Sequence, residues 1–209
     1  MLPVMVAAQE IALVARGILV WQVYDPAVKA DLFSTALETE KGRYLVDPVE
    51  LGAEAQKTLQ TGQNVKGIVV TNENHERAAS QFAQRFSVPI YLHGAWREDV
   101  ALQRTVELKD REEIEPGLTA VAIPGAPAGE IALHYEANGG TLVVGDALIN
   151  FEPYGFGLLP AKYCSDLKLM RRSLPKLLDY AFARMLFAHG TPILSEARAR
   201  LELLLSANP

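Results

Sequence analysis

The chain has 209 residues, 49% of them hydrophobic and 22% charged, so it can bury a sizeable core and is not a disordered tail. Twenty Lys and Arg against 25 Asp and Glu give a net charge of -5, without the basic excess that a nucleic-acid binder shows. The single cysteine, Cys164, excludes an internal disulfide framework and a Cys-rich zinc module, and reads as a small buried hydrophobe.

Residues 1–8 are apolar but lack the basic segment of a signal peptide, and Gln9 and Glu10 interrupt them. No stretch approaches the roughly 18 apolar residues of a membrane span. The expectation is a cytoplasmic protein of one domain over residues 1–209, with a small-molecule partner and neither nucleic acid nor membrane. The apolar run at 201–205 favours a homodimer.

In chain order, residues 11–24 are β-branched and apolar around an Arg16-Gly17 turn signal, which predicts a hairpin. Residues 32–38 and 43–46 flank Lys41-Gly42 as a second hairpin, stopped by Asp47-Pro48. A helix is expected over 51–59, closed by Gly62, and a strand buried on both faces over 65–70. Asn74 can cap a helix over 75–86, whose apolar stripe is Ala78, Phe82 and Phe86.

A further strand is expected at 89–92. The acidic segment 109–115 reads as an exposed turn, 118–123 as a strand, 124–129 as a loop and 130–135 as a strand. Asn138-Gly139 signals a hairpin into 141–144. Residues 153–160 read as a glycine-aromatic loop stiffened by Pro153 and Pro160. A helix capped by Ser173 to about 183, a strand at 185–187 and a terminal helix over 195–205 complete the chain. Hairpins and helices between buried strands predict an α/β (α+β) fold with mixed sheets covered by helices.

Four polar runs follow buried strands directly, where side chains emerge at strand ends and where α/β folds carry their sites. They are Thr71-Asn72-Glu73-Asn74-His75-Glu76-Arg77, Pro124-Gly125-Ala126-Pro127-Ala128-Gly129-Glu130, Gly145-Asp146-Ala147-Leu148 and Ala188-His189-Gly190-Thr191-Pro192. No serine-nucleophile motif and no phosphate-binding glycine loop is present.

Taken in this order, with the aspartate-ending hairpin before them, the four runs resemble the metallo-β-lactamase superfamily over about 12–204. The resemblance implies a four-layer αββα sandwich, and a rim site where most relatives hold one or two zinc, iron or manganese ions and hydrolyse esters, thioesters, lactams or phosphoesters. By that resemblance Asn72 and Asn74 stand where the family has its first two histidines. Glu76 stands at its aspartate, Arg77 at the histidine after it, and Ala126 at the next histidine ligand. Asp146 and His189 match the family's bridging aspartate and last histidine. Tyr154 and Phe156 fall in a loop that borders the substrate cleft in relatives.

Chemistry separates two readings. Asn offers only a neutral carbonyl oxygen, Ala126 offers nothing, and a guanidinium beside a dication opposes binding, so the usual two-metal site is not expected. In the first reading Asp146, His189 and Glu76 converge on one divalent ion (zinc, iron or manganese). His75 then turns inward, Asn72 or Asn74 adds an oxygen, and Glu76 is ligand or general base for hydrolysis of a small ester, thioester or lactone. In the second no metal is bound: Arg77 fills the vacated volume and pairs with Asp146 or Glu76, and the chain is a binding or scaffold protein. The expected pocket comprises Asn72, Asn74, His75, Glu76, Arg77, Asp146 and His189. His93 and His134 fall at no ligand position.

Overall fold

The computed structural model describes residues 7–94, 104–152 and 155–207. They form two compact units, residues 7–70, 76–91 and 104–106 in the first and 71–75, 92–94, 107–152 and 155–207 in the second. The architecture is mixed α/β, with two large mixed sheets and few helices. Among the described residues no helix is long and apolar enough to cross a membrane.

The seven-stranded sheet runs in sequence order: β1 (Ala12–Ala15), β2 (Ile18–Asp25), β3 (Ala30–Glu38), β4 (Arg43–Val46), β5 (Val65–Val69), β6 (Ile90–His93) and β7 (Thr105–Leu108). Both expected hairpins form, β1–β2 around Arg16-Gly17 and β3–β4 around Lys41-Gly42. β4, β5 and β6 pair in parallel, which requires crossovers. Helices α1 (Ala53–Gln60) and α2 (Ala79–Phe86) supply them. Trp21 is core, its indole N–H donating to Val49 O at 3.0 Å.

The five-stranded sheet has the order β14-β11-β10-β9-β8, with β8 (Glu112–Glu115), β9 (Leu118–Ala122), β10 (Ile131–Tyr135), β11 (Thr141–Val144) and β14 (Arg184–Phe187). Only β11–β14 is parallel. Strands β9, β10 and β11 are buried along their whole length, Thr119, His134 and Thr141 included. Their side chains share a core with Met170, Leu174 and Leu177, and with Ala197 and Leu201 of the terminal helix α4 (Ala197–Ala207).

Four local expectations are corrected. Helix α2 begins at Ala79 and not after Asn74, because Arg77 sits at φ +42, a left-handed conformation that no helix interior continues. Ser173 ends a helix, and at the head of the 3-10 segment that follows its side chain makes no capping bond. α3 (Leu167–Ser173) is capped by Asp166, whose side chain accepts from Leu169 N, and Pro175 follows in a 3-10 segment. Residues 112–115 form β8 inside the acidic stretch read as a turn. The glycine-aromatic loop contains a hairpin, β12 (Leu148–Phe151) with β13 (Gly155–Leu158). Cys164 is partly buried with its Sγ 3.7 Å from Met170 Sδ, and burial pushes its thiol pKa up, as a packing role implies.

Candidate metal centre

The site lies wholly in the second unit, and strand register explains it. In the parallel pair β11–β14, Val144 partners Phe187, and Ala188 N donates to Val144 O at 2.9 Å. Asp146 and His189 each lie two residues beyond that pair, so they come side by side past the ends of neighbouring strands. β10 pairs with β11 as Ala132 with Val144, so the antiparallel register continued two residues sets Glu130 across from Asp146. The segment Thr71–His75 is tied to the same sheet, Ile131 N donating to Thr71 O at 2.8 Å. Gly190 keeps His189 in place: it has φ +121, and a Cβ there would lie 2.2 Å from Asn150 O.

Three side chains converge. His75 Nε2 is 3.3 Å from His189 Nε2 and 3.2 Å from Asp146 Oδ1, and His189 Nε2 is 3.4 Å from the same oxygen. Among the described residues these three form the group of histidine and carboxylate side chains with metal-binding geometry. A tetrahedral ion with bonds of about 2.0–2.1 Å holds its ligand atoms about 3.3–3.4 Å apart, so the triangle has the dimensions of one face of such a site. Two imidazole nitrogens and one carboxylate oxygen are also the donor set of catalytic zinc and of non-haem iron.

The supporting groups orient the donors. His75 Nδ1 lies 2.8 Å from Thr71 Oγ1, which occupies that nitrogen and leaves Nε2 for the triangle. Asn72 is fully buried; its Nδ2 donates to Glu130 Oε2 at 2.7 Å and to Asp146 Oδ2 at 3.1 Å, while its Oδ1 accepts from Asn74 N at 2.9 Å. Glu130 Oε1 accepts from Ala147 N at 2.9 Å. Burial, and then the Asp146 charge, push the Glu130 carboxyl up to about 8, against the Ala147 N–H, the Asn72 amide and His75, which all favour its charged form.

Of the residues singled out in the sequence, the structure brings together Asn72, His75, Asp146 and His189. Glu76 is not in that group: its Oε1 accepts from Ser80 Oγ at 3.0 Å, four residues on. Asn74 is exposed and joins only through its backbone N–H. Arg77 Nη1 donates to Phe33 O at 2.6 Å and Asp47 O at 3.1 Å. The expectation was that Arg77 fills the vacated volume and pairs with Asp146 or Glu76; its Nη1 instead meets those two backbone carbonyls, and Asp146 Oδ1 faces His189 Nε2 at 3.4 Å. Ala126 is a core residue. Phe156 packs its ring on Phe187, with centroids 5.8 Å apart. Tyr154 lies outside the described residues. His134 is a satisfied histidine, its Nε2 donating to Ala181 O at 2.9 Å.

Sequence reasoning gave no role to Glu130 or Thr71. A signal for the first existed: a carboxylate at the head of a mostly apolar strand, opposite a candidate ligand.

Comparison with known proteins agrees with this geometry. Residues 12–206 match the family described as the metallo-beta-lactamase superfamily. Solved structures of the same fold include a metallo-beta-lactamase family protein from Thermus thermophilus, with 23% identity, TM-score 0.68, and 93% of this chain and 80% of that one covered. The metallo-beta-lactamase from Pontibacter korlensis has 16% identity, TM-score 0.73, and 96% and 99% covered. A protein solved in a di-iron-bound form has 20% identity, TM-score 0.60, and 86% and 97% covered. No curated protein sequence matches significantly. The chain is a member of the metallo-beta-lactamase superfamily.

Proposed function

We propose that this chain is a hydrolase working with one divalent ion, zinc, iron or manganese, held by His75, Asp146 and His189, and acting on a small ester, thioester or lactone. The observation that carries this reading is the donor triangle, with edges of 3.2, 3.3 and 3.4 Å. When bound, such an ion supplies Lewis acidity and makes water nucleophilic near neutral pH.

The rest is the work of the chain's own residues. Thr71 fixes the His75 ring, and Asn72 holds the outer oxygen of Asp146. Of the three side chains His189 is the most exposed, 18% against 11% for Asp146 and 3% for His75, so substrate approaches from the His189 side. Glu130 is too buried to meet substrate; in the metal-free chain its burial and the Asp146 charge push its carboxyl up to about 8. The protein solved in a di-iron-bound form carries two irons. Here Asn72, Asn74 and Ala126 replace imidazoles that the family pattern would have, which favours one ion.

Metal analysis of protein purified without chelator tests the reading. The expected result is about one equivalent of a transition metal, lost in Asp146→Ala together with ester hydrolysis. Metal-free protein whose thermal stability ignores added zinc overturns it and leaves a binding or scaffold protein.

A further inference from the structure

Resting on that ion-binding reading, we propose that Asn72 is a positioning residue, clamped by Glu130, that makes Asp146 a one-oxygen ligand. A carboxylate turns freely about its last torsion and can offer either oxygen or both. Here the two oxygens are divided: Oδ2 takes the Asn72 amide at 3.1 Å, and Oδ1 faces the two histidine nitrogens at 3.2 and 3.4 Å.

The amide itself is held at both ends. Its oxygen takes the Asn74 N–H and its nitrogen also donates to Glu130 Oε2 at 2.7 Å, so it cannot flip without losing its buried bonds to the two carboxylates. Glu130 in turn takes the N–H of Ala147, the residue next to Asp146, so the clamp closes on the strand end that carries the ligand. Asn72, Glu130 and Asp146 are 0%, 3% and 8% exposed, so water does not substitute for these bonds. By the sequence resemblance, a position that carries a metal ligand in the family carries here the group that aims another ligand.

Cobalt(II) titration of the full-length metal-free protein tests this, reading both affinity and the visible absorption band that reports coordination number. Asn72→Leu keeps the branched shape and removes the donor. It is expected to weaken cobalt binding about 10–100-fold, the usual worth of a partner that orients a ligand, and to change the band as Asp146 turns its second oxygen to the ion. Glu130→Gln provides the second arm if Asn72→Leu does not fold. An amide at 130 gives one acceptor where Ala147 N–H and Asn72 N–H need two, so the same changes are expected, smaller in size. Folded variants with wild-type affinity and band, while Asp146→Ala abolishes binding, overturn the positioning role and leave the metal centre standing. Wild-type protein that binds no cobalt overturns the metal centre and this role with it.

Discussion

His75 and His189 bring their Nε2 atoms to 3.3 Å of each other with ring planes 55° apart, and both atoms face Asp146 Oδ1. Two imidazolium rings would repel at that distance, so at most one nitrogen carries a hydrogen toward the other. His75 reaches this position from a place in the chain where the family pattern assigns no ligand. His75→Ala and His189→Ala are each expected to lower zinc affinity by more than the roughly 100-fold upper worth of an orienting partner. Competition with a chromophoric chelator measures it; a His75→Ala protein of unchanged affinity would remove His75 from the ligand set.

The raised pKa of Glu130 makes a statement about stability. Its carboxyl is pushed from 4.5 up to about 8 in the folded metal-free chain. Between those values the folded state holds a proton that the unfolded state has lost, so stability falls as pH rises. The slope is about 1.4 kcal/mol per pH unit for one proton, and it flattens above the folded pKa. Glu130→Gln cannot titrate, so urea unfolding of the metal-free protein from pH 5 to 8 should lose that part of the slope. Parallel pH profiles for variant and wild type would show that Glu130 is ionised in the fold.

The sheets were legible because their signals are local. Mostly apolar, β-branched runs marked β5, β9 and β11, although Lys66 of β5 is exposed, and turn dipeptides marked both early hairpins. Asp146 and His189 were legible by resemblance and also follow from register, being two residues past a parallel pair. Helix α2 began four residues later than the Asn74 cap signal suggested, because the left-handed turn at Arg77 is fixed by distant carbonyls that no local pattern encodes. The fate of Arg77 was illegible for the same reason. A side chain's partner across a fold depends on which strands meet, and charge type alone does not say that.

Arg77 and Asp47 are both left-handed, at φ +42 and +46, and Arg77 Nη1 donates to Asp47 O. The same carbonyl accepts from Ser34 Oγ at 2.7 Å. A non-glycine residue in this conformation costs about 1–2 kcal/mol, offset here by charged hydrogen bonds of about 1.5–3 kcal/mol each. Arg77→Ala keeps the strain and loses the bonds, so it should destabilise the chain by about 3 kcal/mol. Arg77→Gly loses the bonds and the strain together and should be about 1 kcal/mol more stable than the alanine variant. Chemical denaturation ranks the three proteins; glycine falling below alanine would show that the left-handed strain is smaller than the extra chain entropy glycine brings.

Gly145 precedes Asp146, and its missing side chain is what lets the supporting groups close in. A Cβ there would lie 2.7 Å from Thr71 Oγ1 and 2.8 and 2.9 Å from the two oxygens of Glu130. Those atoms hold His75 and Asn72 respectively, so one added methyl pushes on both arms of the site. Overpacking of this kind costs about 1–3 kcal/mol, and none of the three oxygens can retreat without breaking a buried hydrogen bond. Gly145→Ala is therefore expected to lose stability in that range and also to bind zinc about tenfold or more weakly, as orienting contacts go. Thermal unfolding and chelator competition on the same sample separate the two effects. Lower stability with unchanged zinc affinity would mean that Thr71 and Glu130 support the fold but do not aim the ligands.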